Sequence, residues 1–243
     1  MLDPTRGRRA IVVAHGEMSR RAALDTAWPG WSAGVDIVVA ADGGIALADA
    51  LGLAVDRWVG DGDSVDTGRL AELATQGVTV DRVPAAKDES DAELALLAAM
   101  DMGATEIVVL GALGGARLDH TLANVALLAH PGLADRAVWL VSEGARASLV
   151  RAPARDGEPA VRDLSGRTGD VVTLLPLGGE VEGVTTRGLR YPLRDEALLV
   201  GPARGLSNVR DETNAGVTVR RGLLLVCEVP VTLVPETPAN LGS

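Results

Sequence analysis

The sequence predicts an α/β region followed by an all-β region, and two changes of texture carry that prediction. Up to about residue 150, short apolar runs alternate with helical patterns. Such alternation implies right-handed crossovers and a mostly parallel sheet with helices on both faces. Beyond residue 169 the apolar runs are short, rich in Val, Leu and Thr, and punctuated by Gly. That texture is the mark of antiparallel strands in a small β-sandwich.

In order, strands are expected at 10–14, 35–40, 57–59, 78–83, 106–110 and 137–141. Helices are expected near 19–27, 45–51, 67–76, 91–102 and 121–129. Residues 151–167 carry two Pro, two Gly and many charges, which reads as a linker or irregular connection. Strands of the second region are expected at 171–175, 181–185, 197–200, 216–219 and 223–229, with a frayed tail from Pro235. The expected architecture is an N-terminal open, Rossmann-like sheet over 1–151 and a C-terminal all-β sandwich over 152–243.

Composition narrows the function. Hydrophobic residues are 47% of the 243-residue chain and charged residues 23%, so a substantial core can form. Aromatics are only 2%, so the core is built from Ala, Val and Leu, and a site of several stacked rings is excluded. A net charge of −10 argues against a broad nucleic-acid surface. An acidic protein that handles phosphate needs a metal to bridge like charges. Cys227 is the single cysteine, which excludes an intramolecular disulfide and a cysteine-based metal cluster. The apolar runs are too short to span a bilayer, and the basic start (Arg6, Arg8, Arg9) precedes too short an apolar run for a signal peptide. A soluble, cytoplasmic protein is expected.

Four acidic motifs follow expected strands: Asp42-Gly43-Gly44, Gly60-Asp61-Gly62-Asp63-Ser64, Lys87-Asp88-Glu89-Ser90-Asp91, and Gly114-Gly115-Ala116-Arg117-Leu118-Asp119-His120. In an open parallel sheet, ligands bind beyond the carboxyl ends of the strands, so these loops converge on one crevice. Converging carboxylates repel unless a cation neutralises them, and oxygen ligands favour a hard ion such as Mg²⁺. Each motif also has an ordinary helix-capping explanation. Ser90 with Glu93 forms a capping box, Asp91 suits a helix N-terminus, Asp119 could cap the 121–129 helix, and Asp63 or Asp66 the 67–76 helix. Capping explains Asp61 and Asp63 together less well, because one cap does not need two aspartates.

Gly43-Gly44 and Gly114-Gly115 would let backbone N–H groups approach phosphate, or would serve tight turns needing positive φ. Arg117 offers a planar fork for phosphate and Lys87 a point charge, and Lys87 is the single lysine in a chain with 23 basic residues. His120 could bind phosphate or ribose, or cap its helix. His15 and His130 read as structural or exposed, and Cys227 as a core residue.

These motifs, in this order, resemble the thiamin pyrophosphokinase family, whose pattern is approximately ADGG, GDxDS, KDxTD, GGRxDH and GxSN. The last corresponds to Gly205-Leu206-Ser207-Asn208, and 186–193 is similar to the family's TxxGLxYPL stretch. The resemblance covers residues 10–230 or so. The chain differs in having Gly62 where Phe is common, Ser90 for Thr, Ala116 as an extra residue, and only Tyr191 as an aromatic after Trp139.

The resemblance implies an α/β nucleotide domain, a β-sandwich and a homodimer. It also implies transfer of the terminal pyrophosphate of ATP to the hydroxyl of thiamine, leaving AMP. Asp61, Asp63 and Asp91 would hold Mg²⁺; Lys87 and Arg117 would offset phosphate charge. Asp88 and Asp119 would order those cations or take the proton. Asp42, Gly43, Gly44, Ser64, Ser90, Gly114, Gly115, Arg117 and His120 would meet ATP. Ser207 and Asn208 of the partner subunit would meet thiamine. No nucleic acid, membrane or obligate protein partner is implied. Two alternatives stay open: the same chemistry on another alcohol such as a pterin, and a catalytically silent nucleotide- or metal-binding regulator.

Overall fold

The computed structural model describes residues 7–233. Arg6 of the basic start and the tail from Pro235 lie outside the described residues. The chain divides into two compact units, Met1–Ser148 and Leu149–Ser243.

The first unit is a parallel sheet of β1 (Arg8–Val13), β2 (Ile37–Ala41), β3 (Arg57–Gly60), β4 (Thr79–Arg82), β5 (Ala104–Leu110) and β6 (Ala137–Val141), in the order β6-β5-β1-β2-β3-β4. The start of β7 (Arg146–Ala152) pairs antiparallel with β6. The central strands are near-continuous apolar runs because both faces are covered. On one face Leu24 of α1 (Arg21–Ala27), Leu47 of α2 (Gly44–Ala50) and Leu70 of α3 (Thr67–Thr75) pack with Ile11, Val13 and Trp58. The helix α4 (Asp91–Asp101) lies against β1, β2 and β3 and takes no part in that cluster, so it covers the opposite face. Its buried Ala95, Ala98 and Ala99 let it approach closely. The helix α5 (Leu118–Leu127) buries none of its residues, and Leu118 and Leu122 are exposed.

The strand order reverses its winding at β1, whose neighbours are β2 and β5. A crevice opens at such a reversal, beyond the carboxyl ends of the strands.

The second unit is a sandwich. One layer joins β12 (Asn208–Val209), β9 (Val171–Pro176) and β14 (Gly222–Val229). The other joins β11 (Glu196–Leu198), β10 (Val181–Arg187), β13 (Ala215–Val219) and β8 (Ala160–Leu164). Val172, Leu174, Val184, Val217, Leu224 and Val226 fill the space between the layers. A buried ion pair, Arg210–Glu228 at 2.9 Å, lies in the same unit, with Arg210 also donating to the carbonyl oxygens of Leu164 and Ser165.

One expectation is corrected. Residues 151–167 are not a linker: they hold the end of β7 and all of β8. The strand β8 is an edge strand whose exposed face carries Val161 and Asp163, and an edge tolerates charge that a central strand does not. No helix among the described residues is long and apolar enough to cross a membrane.

Candidate active site

A crevice of about 730 Å³ lies in the first unit, lined by the segments that follow β1, β2, β3, β4 and β5. The register of β2 on β3, with Ala41 opposite Val59, sets Asp42 beside Gly60 and therefore next to Asp61. Asp42, Asp61 and Asp63 bring carboxylate oxygens within 4.8 Å of one another.

Asp42 is the unusual member. It is 3% exposed, its φ of 42° lies in the left-handed region, and its Oδ1 is buried with no hydrogen-bond partner among the described residues. An orphaned buried carboxylate oxygen costs free energy that a hydrogen-bond donor or a cation recovers. Asp61 Oδ1 accepts from the Asp63 N–H at 3.0 Å, and Ser64 Oγ donates to Asp63 Oδ1 at 2.8 Å, which fixes the loop. Gly62, at φ 80°, makes the turn between the two aspartates; a Cβ there would be strained and would meet Leu70 Cδ1 at 3.3 Å. The all-oxygen donor set fits a hard divalent ion such as Mg²⁺.

Asp91 is partnered differently. Lys87 Nζ, in the loop before α4, donates to Asp91 Oδ1 at 2.5 Å, and both line the crevice. The capping reading of Ser90 also holds, since its Oγ accepts from the Glu93 N–H at 3.2 Å. Asp66, not Asp63, caps α3.

Arg117 lines the crevice and pairs bidentately with Asp119 at 2.9 and 2.5 Å, both side chains exposed. The Arg117 guanidinium holds the Asp119 carboxyl well below the usual carboxylate range, which makes it a poor proton acceptor. The helix α5 starts at Leu118, so Asp119 sits in its first turn rather than capping it.

The ends of α3 and α4 are capped by their own side chains, while α2 and α5 have no side-chain cap. The two double glycines stand at the uncapped ends, for different reasons. Gly114 and Gly115 line the crevice at φ 81° and 85°. Gly43 has an ordinary φ of −60°, and a Cβ on it would meet the His15 ring at 2.5 Å; one on Gly44 would meet the Val13 carbonyl oxygen at 2.1 Å. Close packing of α2 on β1, not positive φ, demands glycine there.

Ser64, Ser90 and His120 line the crevice; Gly43, Gly44, Asp88 and Asp119 do not. Sequence reasoning missed His15, Glu17 and Asn124, which also line it. His15 and Glu17 follow β1 as the acidic motifs follow the other strands, so the same strand-end rule would have found them.

Ser207 and Asn208 belong to the second unit. Ser207 is exposed with φ 54°, and its N–H donates to Thr173 Oγ1 at 3.0 Å. Asn208 is 3% exposed; its Oδ1 accepts from the Tyr191 and Val209 N–H groups, and its Nδ2 donates to the Tyr191 carbonyl oxygen at 2.6 Å. The Asn208 amide therefore shapes the loop that presents Tyr191.

Comparison with known proteins places this geometry. Residues 31–140 match the family model for the thiamin pyrophosphokinase catalytic domain, and residues 161–224 the thiamin pyrophosphokinase vitamin B1 binding domain. The thiamine pyrophosphokinase of Bacillus subtilis (strain 168) is 24% identical over 184 residues, covering 76% of this chain and 82% of the relative. Among solved structures, the Bacillus subtilis thiamine pyrophosphokinase aligns with a TM-score of 0.77 at 21% identity, over 92% of this chain and 99% of that one. The yeast thiamin pyrophosphokinase aligns with a TM-score of 0.73 at 15% identity, over 94% and 89%. The two family models lie one in each unit and together match more than half of the residues, so the chain belongs to the thiamin pyrophosphokinase family.

Proposed function

We propose that this chain transfers the pyrophosphate group of ATP to the hydroxyl of thiamine, giving thiamine diphosphate and AMP. The observation that carries the reading is the Asp42–Asp61–Asp63 cluster with its orphaned buried oxygen, at the strand-end crevice of a chain in this family. The names of the relatives support thiamine as the acceptor.

The reaction requires an alcohol oxygen to attack the β-phosphorus of ATP while AMP leaves on the far side. Catalysis is then positioning and charge neutralisation. Asp42, Asp61 and Asp63 would hold Mg²⁺, which would supply positive charge against the phosphate groups. Lys87, oriented by Asp91, and Arg117, oriented by Asp119, add two cations to the crevice. Backbone N–H groups at Gly114, Gly115 and the uncapped start of α5 offer donors to phosphate oxygens. Ser64, Ser90 and His120 complete the nucleotide surface. Of the two expected proton acceptors, Asp119 is spent on Arg117, and Asp88 does not line the crevice.

The active unit in this reading is a cytoplasmic homodimer in which Ser207 of the partner subunit meets thiamine, while the buried Asn208 amide orders the loop beside it. Family resemblance supports the dimer. Mixing an Asp63→Asn chain with a Ser207→Ala/Asn208→Ala chain tests the shared site. Random exchange is expected to restore up to about a quarter of wild-type sites; no recovery after proven exchange means each chain builds its own.

The direct test is incubation with ATP, Mg²⁺ and thiamine. Equal amounts of AMP and thiamine diphosphate are expected. ADP with thiamine monophosphate, or AMP released only with a pterin alcohol, would overturn the assignment.

A further inference from the structure

We infer that Trp58 is a positioning residue for the crevice carboxylates: its indole N–H sets the backbone of Asp42 and with it the aim of the Asp42 carboxylate at Asp61 and Asp63. The inference rests on the reading of that cluster as a cation site. It deepens the proposed activity, because nothing in that reading uses Trp58.

Trp58 is fully buried on β3, and its Nε1–H donates to the Asp42 main-chain oxygen at 2.9 Å. The other donor to that oxygen is the Ile45 N–H, at a long 3.4 Å. The Asp42 N–H in turn donates to the Val59 carbonyl oxygen at 2.8 Å. Asp42 is thus held at both main-chain polar groups. Packing closes the remaining side: a Cβ on Gly60 would lie 2.9 Å from Asp42 Cβ and 2.9 Å from Trp58 Cζ2.

This clamp matters because of the conformation it holds. A left-handed non-glycine residue is sparsely populated and persists only where its surroundings determine it. Released, Asp42 would relax toward ordinary φ and carry its carboxylate away from the other two. Trp58 also stands three residues before Asp61, which directly follows β3. One ring is therefore tied to both arms of the cluster, by a hydrogen bond to Asp42 and by the chain to Asp61.

A purely structural role would need only the ring, which packs in the core with Leu70 and Leu73. The N–H separates the two roles. Trp58→Phe keeps an aromatic ring and removes the donor. Trp28→Phe is a matched control, because the Trp28 indole is 6% exposed, donates to the Ser142 carbonyl oxygen at 2.7 Å, and does not line the crevice.

The test is Mn²⁺ binding to the nucleotide-free protein, read from the loss of the free-ion EPR signal, with urea unfolding run on each variant. Trp58→Phe is expected to weaken Mn²⁺ binding roughly tenfold, the scale of one net hydrogen bond. Trp28→Phe is expected to bind Mn²⁺ as the wild type does despite a comparable loss of stability. Asp42→Asn is expected to abolish binding. Wild-type affinity in Trp58→Phe, with binding lost in Asp42→Asn, overturns the positioning role and leaves the cation site standing. Equal binding by wild type and Asp42→Asn removes the cation site and the inference together. Should Trp58→Phe not fold, ¹⁵N-tryptophan labelling of the wild type replaces it, with Trp58 assigned by substituting the other three tryptophans. Mg²⁺ is then expected to shift the Trp58 indole resonance and leave that of Trp28 in place; an unmoved Trp58 resonance overturns the proposal.

Discussion

Two aspartates, one in each unit, are buried to almost the same depth and are treated in opposite ways. Asp170 of the second unit is 2% exposed, accepts from the Arg167 and Val231 N–H groups at 2.7 and 2.8 Å, and has the Arg167 guanidinium at 3.8 Å. Asp42 of the first unit is 3% exposed, and its Oδ1 finds no partner among the described residues. The same contrast runs through the surroundings. In the second unit the buried Arg210 and Glu228 face each other. In the first, three carboxylates crowd together at a crevice. A buried charge whose bonds are made by the fold serves the fold. One whose oxygen is left unmet is set for something the chain does not itself contain.

The largest expected effect is on the satisfied side. Glu228→Ala leaves the Arg210 guanidinium buried without its carboxylate, and urea unfolding should show a loss of about 3–5 kcal/mol. A loss below about 1 kcal/mol would mean that the pair is solvated and the contrast false.

The matched aspartates come next. Asp42→Asn should lower kcat by at least about a hundredfold, by the scale on which metal-site groups act. It should leave unfolding free energy in cation-free buffer unchanged or higher, since mutual repulsion is relieved. Asp170→Asn should do the reverse, keeping turnover while losing about 1–3 kcal/mol of stability. If both variants lose stability and keep activity, the two aspartates are alike and Asp42 is structural.

Lys87→Arg tests whether the point charge matters. Arginine is longer and forked, and the 2.5 Å contact with Asp91 in a partly buried position leaves little room for it. A fall in kcat of roughly tenfold is expected; silent substitution would make Lys87 an ordinary surface cation.

The smallest effect belongs to Cys227 on β14. Burial pushes its thiol up from about 9 to about 11. The unfolded thiol ionises first, so stability is whole below about pH 9 and falls as pH rises through about 11. Comparing urea unfolding of wild type and Cys227→Ala across that window isolates the slope. Identical slopes would show that Cys227 is solvated.

Much of the architecture was legible because it rests on local pattern. The alternation of apolar runs and helical periods located all six parallel strands, and the acidic motifs were found at their carboxyl ends. The errors are where a residue's meaning is tertiary. Asp42 sits 19 residues from Asp61, and only the β2–β3 register brings them together. Sequence therefore grouped Asp91 with Asp61 and Asp63, whereas the structure gathers Asp42 with those two and sets Lys87 on Asp91. Gly43 read as a glycine for phosphate approach or for a tight turn, and the structure adds a packing cause, the His15 ring against it. The charges of β8 read as a linker because an edge strand need hide only one face. The Trp58 bond to Asp42 had no sequence signal at all, since nothing in a strand of the form RWVG says where an indole N–H will point.

In the proposed reading, Asp42, Asp61 and Asp63 together hold a divalent cation. Anomalous diffraction from crystals soaked in Mn²⁺ tests it most directly. One peak is expected within coordination distance of Asp42 Oδ1 and of the Asp61 and Asp63 carboxylates, absent from crystals of Asp42→Asn. A peak on Asp91 and Glu89 instead, or the same peak persisting in Asp42→Asn, would contradict it.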